Sequence, residues 1–177
     1  MEPFDLDFGA ASAAIREGRL SPLELTDSCL RRLQAVEPRI GAFAHVSAER
    51  AREAARQAEH EIAAGRWRGP LHGIPIGVKD LFDTAGVPST SSSRVRSGRV
   101  PQEDSAVVER LRAAGAILLG QTQTHEFAYG GVTPTTRNPW GLDRIPGGSS
   151  GGSGSGLAFC LHPANAGVFE MPCAAVR

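Results

Sequence analysis

The chain has 177 residues, 41% of them hydrophobic, and 19 basic side chains balance 19 acidic ones for a net charge of zero. At roughly 100–200 residues per domain this length suggests one domain, and the apolar fraction excludes a disordered tail. Balanced charge argues against a general polyanion binder, which needs clustered Lys and Arg, so no direct nucleic-acid binding is expected. Glycine stands out: 21 of 177, about 12% against a usual ~7%, with six between Gly147 and Gly156.

The start, Met1 to Asp7, is acidic and lacks the basic-then-apolar order of a signal peptide. No apolar run approaches the ~20 residues of a membrane span. Three cysteines (Cys29, Cys160, Cys173) are too few and odd for a secreted disulfide framework, and no His or Cys spacing suits a metal. These features predict a cytoplasmic, metal-free protein with no membrane partner.

Residues 8–17 read as an Ala-rich helix stopped by Gly18. Ser21-Pro22-Leu23-Glu24 is a capping box with Pro at the first helical position. Leu25, Cys29, Leu33 and Val36 follow at helical spacing, and Pro38 is expected to close the segment. A third helix is predicted from Ala48 to Ala64, capped by Ser47 and stopped by Gly65. Its apolar stripe is Ala51, Ala54, Ala58 and Ile62, and its many Arg and Glu residues read as a solvated face.

At Gly69 the texture changes. Gly69-Pro70-Leu71-His72-Gly73 is a turn cluster, and Ile74 to Asp80 reads as a short buried strand ending in charge. Residues 84–103 look like loop. Asp104 is expected to cap a helix running to about Ala114, with Val107, Val108 and Leu111 inward. Gly115 ends it, and Ala116 to Leu119 is an apolar strand. Strand, helix, strand predicts an α/β fold with partly parallel pairing. A short helix (His125 to Ala128), a loop rich in Pro, Thr and Asn, and the glycine–serine run complete the order.

The run Pro146 to Gly156 admits three readings. A flexible linker fits its composition, but too little chain follows for a second domain. A phosphate loop would end in Gly-Lys-[Ser/Thr], and the run has no lysine. A catalytic serine loop remains, in which glycines let backbone N–H groups approach a reacting carbonyl. Ser149 and Ser150 both fit G-x-S-x-G, yet no Asp lies downstream and His162 precedes the only acid there, Glu170, so the hydrolase-elbow order fails. Lys79 is the better base. Ile74, Ile76 and Val78 precede it and Leu81-Phe82 follow, so burial would favour its neutral form.

The segment Gly69 to Asp80 closely resembles the lysine motif of the amidase signature family. Arg137-Asn138-Pro139-Trp140 and Pro146 to Ser153 resemble the two motifs that follow it, and the resemblance runs from about Ala10 to Ser153. It implies an α/β fold with a mixed central sheet covered by helices, incomplete here. Residues 1–153 would be the N-terminal part of one domain, and residues 154–177 a divergent tail, truncated or frame-shifted. It also implies a Ser–cis-Ser–Lys triad, with Lys79 as proton acceptor, Ser149 as the bridging serine after a cis bond, and Ser150 in support. Phe127, Gly130 and Gly131 would line the acyl side of the substrate pocket.

The family's nucleophilic serine has no counterpart. Cys173 falls on its position, but Met171 and Pro172 replace the adjoining glycines, and Pro172 donates no N–H, so Cys173 is not expected to act. Gly154-Ser155-Gly156 is expected to break the helix that should follow the serine loop. The implied activity is hydrolysis of a small-molecule carboxamide without metal or cofactor. Two alternatives stand beside it: the glutaminase subunit of a tRNA-dependent amidotransferase with partner subunits, and a non-catalytic fragment.

Overall fold

A computed structural model describes residues 2–159 and 164–166. Helix α1 (Phe8–Arg16) is capped by Asp7, which accepts from the Ala10 N–H. Helix α2 (Pro22–Ile40) starts at the predicted capping box, with Ser21 accepting from the Leu23 and Glu24 N–H groups. Helix α3 (Ala48–Ala63) packs on α2 and on the sheet. Helix α4 (Ala106–Ala113) links the two parallel strands, and α5 (Gly151–Ala158) follows the serine loop. Single 3-10 turns occupy Pro3–Asp5, Arg94–Arg96 and Glu126–Ala128. No helix among the described residues is long and apolar enough to cross a membrane.

Among the described residues four strands, β1 (Phe43–Val46), β2 (Pro75–Lys79), β3 (Ile117–Thr122) and β4 (Ala164–Ala166), form one mixed sheet in the order β1-β3-β2-β4. β2 pairs parallel with β3 and β4, and β1 pairs antiparallel with β3. The α/β reading with partly parallel pairing therefore holds. β2 is central and buried at every position, as expected of a parallel strand covered on both faces. Ile74, Ile76, Ile117 and Leu119 meet Leu25, Cys29 and Ile40 of α2 in one core. Val78 faces α3, so its neighbour Lys79 points to the other face of the sheet, towards α5.

Several local expectations are corrected. Pro38 lies inside α2, where both it and Gln34, whose carbonyl would have received its N–H, are exposed to water. Gly41, at φ +60°, ends the helix instead. Ser47 holds the cap position of α3 as expected but makes no side-chain capping bond, and Asp104 is not the cap of α4. Asp104 accepts from the Ala85 N–H and the Arg112 side chain, while Ser105 takes the cap position without a side-chain bond. On α4 only Val108 is fully buried, and Val107 is exposed. The charged face of α3 is not wholly solvated. Glu61 is buried, accepting from Gln57, Arg68 and His72. Gly154-Ser155-Gly156 does not break a helix, because α5 runs through it.

Candidate active site

Lys79 ends β2 at the carboxyl edge of the parallel pair, where open α/β sheets place their ligand crevices. Its neighbours on β2 are apolar, and its own side chain is only 7% exposed. Among the described residues it pairs with no carboxylate. Its Nζ lies 2.8 Å from Ser149 Oγ and 2.7 Å from Ser150 Oγ. Burial pushes the ammonium below its ordinary pKa, with nothing opposing. A charged Lys79 donates to both hydroxyls. A neutral one donates to one and offers its lone pair to the other, which makes it a proton acceptor.

The serines reach the lysine because their loop is held on all sides. The Gly148–Ser149 peptide bond is cis, the geometry that the resemblance implies at this position. Gly148 backs onto the chain at Gly131, where a Cβ would lie 2.8 Å from the Gly131 carbonyl carbon. The Ser149 carbonyl accepts from the His125 N–H at 2.8 Å, Thr124 Oγ1 at 2.7 Å and Thr133 Oγ1 at 3.3 Å. Thr133 Oγ1 also accepts from the Gly151 N–H at the start of α5. Further along α5, Ser153 bonds Thr122, the residue paired with Lys79 in the sheet, at 2.8 Å. Ser149 and Ser150 are half-buried. The hydroxyls thus stand between a buried amine and the outside.

Asp80, the next residue, is buried and turned away from the lysine's partners. Its carboxylate accepts from the Thr90 N–H and hydroxyl and from the Ser92 N–H, holding the loop that follows β2. Of the three residues expected to line the acyl side, Gly131 meets the serine loop. Gly131 lies against Gly148, Gly130 sits on the His125 ring, and Phe127 is exposed with its ring under Arg96. Cys173 and the segment 167–173 lie outside the described residues. Among the described residues, no group of three or more His, Cys, Asp or Glu could hold a metal ion.

Two features escaped sequence reasoning. Lys79 is the single lysine of the chain, the other 18 basic residues all being arginine, a count that alone would have drawn attention to it. Thr124 and Thr133 look like ordinary loop residues, and no sequence signal marks their convergence on Ser149.

The geometry can be set beside known proteins. The family model described as Amidase matches residues 24–167. The A subunit of the glutamyl-tRNA(Gln) amidotransferase of Chloroflexus aggregans is 45% identical over 168 residues, 92% of this chain and 34% of that protein. The structure of an amidase superposes with a TM-score of 0.81 at 38% identity, over 90% of this chain and 38% of that one. The native peptide amidase from Stenotrophomonas maltophilia gives 0.82 at 34% identity, over 88% and 34%. The chain spans about a third of the length of the curated relatives it matches.

Proposed function

The chain belongs to the amidase family, and on that premise we propose that Lys79 and Ser149 are the proton-carrying end of an amide-hydrolysing site. The observation that carries this reading is a buried lysine, unpaired with any described carboxylate, held on two serine hydroxyls at 2.8 and 2.7 Å. Neutral Lys79 takes the proton of Ser149 as Ser149 takes that of the nucleophilic hydroxyl, which attacks the carbonyl carbon. The C–N bond then breaks as the relay returns a proton to the departing amine, and water repeats the sequence to release the acid. The relay itself needs no metal or cofactor. Ser150 shares the lysine and keeps it in place. Gly130, Gly131 and Phe127 contribute to the acyl side. This sequence holds no counterpart of that nucleophilic serine, and Cys173, which falls on its position, lies outside the described residues; residues 1–153 are read as the N-terminal part of one domain working in the cytoplasm.

A second reading is favoured by the name of the relative at 45% identity: the A chain of an amidotransferase, releasing ammonia from glutamine for partner subunits. Ammonia release by a full-length relative carrying the same lysine–serine pair, measured with glutamine and with simple carboxamides, separates the two. Replacing the lysine by methionine should lower turnover by roughly 10²–10⁴, the range of a general base. Turnover that survives the replacement sinks both readings.

A further inference from the structure

The structure assigns a positioning role to Thr124 and Thr133: their hydroxyls clamp the Ser149 carbonyl, and through that peptide they hold both serine hydroxyls on Lys79. The inference rests on the proposed pairing of Lys79 with Ser149.

The Ser149 carbonyl belongs to the peptide that joins Ser149 to Ser150. Fixing its plane fixes the two Cα atoms from which the serine side chains reach the same Nζ. Three donors converge on that one oxygen, from His125 N–H, Thr124 and Thr133. A carbonyl has two lone pairs. The backbone N–H alone would keep it from being orphaned, so the threonines add constraint rather than mere satisfaction. Both are fully buried, at 1% and 0% exposure, and neither uses its hydroxyl in the ordinary way, on a carbonyl of its own turn. They reach 25 and 16 residues along the chain to the same atom.

The clamp is also tied to the strand that carries the lysine. The Thr124 N–H donates to Ser92 Oγ, and the Ser92 N–H donates to Asp80, the neighbour of Lys79. Lys79, Ser149, Thr124, Ser92 and Asp80 thus close a ring. On its other side Thr133 donates its N–H to the Gly147 carbonyl and accepts from Gly151, spanning the serine loop from end to end. Removing either threonine hydroxyl frees one side of the loop without touching the lysine or the serines.

Because Lys79 is the only lysine, lysine labelled with ¹³C and ¹⁵N gives one set of side-chain NMR signals for the intact 177-residue chain. A lysine held in one geometry shows two separate ε-methylene proton shifts, and a mobile one shows a single averaged shift. The wild type should show the separated pair, and Ser149→Ala/Ser150→Ala should collapse it. Thr124→Val and Thr133→Val should collapse it as well, while Thr124→Ser and Thr133→Ser keep it. Only variants that melt cooperatively are compared. Thr124→Cys and Thr133→Cys, which donate weakly, replace a valine variant that does not fold. If the serine double variant collapses the signals and the threonine variants leave them separate, the clamp is refuted and the lysine–serine pairing stands. If the serine double variant keeps them separate, the pairing itself falls and the clamp with it.

Discussion

Helix α5 offers a paired test two residues apart. Four of its eight residues are glycine, and each Gly→Ala change inside a helix should stabilise it by about 1 kcal/mol from backbone entropy alone. At Gly152 the surroundings reverse the sign. A Cβ there would collide with both the Ala42 carbonyl oxygen and the Gln123 nitrogen, beside the hydrogen bond those two atoms make. Backbone on both sides cannot swing away as a side chain could. The Gln123 N–H to Ala42 bond and the Gly152 N–H to Gln123 bond must both stretch. Overpacking costs about 1–3 kcal/mol and each stranded buried partner about 1–3 more, against the ~1 gained. Gly152→Ala should therefore destabilise by at least about 2 kcal/mol. At Gly154 no described atom lies within 4 Å of where a Cβ would sit, so Gly154→Ala should stabilise by about 0.5–1 kcal/mol. Urea titrations followed by circular dichroism measure both. A neutral or stabilising Gly152→Ala would refute the claim that contact with Ala42 and Gln123 dictates glycine there.

Two further outcomes are expected elsewhere in the molecule. Burial holds the His72 imidazole below its ordinary pKa, with Arg68 adding to it, while the bond from Gln57 and then Arg68 hold the Glu61 carboxyl below its own. Below about pH 6.5 the unfolded chain takes up a proton that folded His72 declines, and below about 4.5 one that folded Glu61 declines, so stability falls on acidification through both windows. Urea midpoints at pH 7, 5.5 and 4 should drop in sequence, and His72→Gln should flatten the upper step; an unchanged slope would count against a buried neutral His72. Cys29 is buried, and burial pushes its thiol up to about 12. In a Cys160→Ser/Cys173→Ser chain it should resist a thiol reagent at pH 8 until denaturant is added, whereas immediate labelling of the folded protein would contradict its burial.

Much of the fold could be read where local chemistry and burial agree. The Ser21 box, the apolar run before Lys79 and the glycine stops after α1, α3 and α4 announce their structure within a few residues. The site was legible for the same reason: an ionisable side chain closing an apolar strand, and a glycine–serine run with no other base to use. What stayed hidden depends on partners far along the chain. β1 is four residues long and exists because Phe43 to Val46 lies beside Thr122 to Gly120 of β3. Glu61 looks like a surface charge until Arg68 and His72 arrive from the next turn to hold it. α5 forms against helix propensity, and Gly152 lets it sit against the backbone at Ala42 and Gln123. The two threonines on Ser149 come from separate loops, and only the folded chain brings them to one oxygen.

The proposed relay stands or falls on the state of Lys79. With lysine as the only labelled residue type, a pH titration of its ε-carbon reports that one amine, free of the arginines and the chain terminus. A buried lysine held on two serine hydroxyls should titrate clearly below the ordinary value of 10.5. A midpoint at or above 10.5 would describe a solvated ammonium and would contradict the proposed role of Lys79 as the proton acceptor.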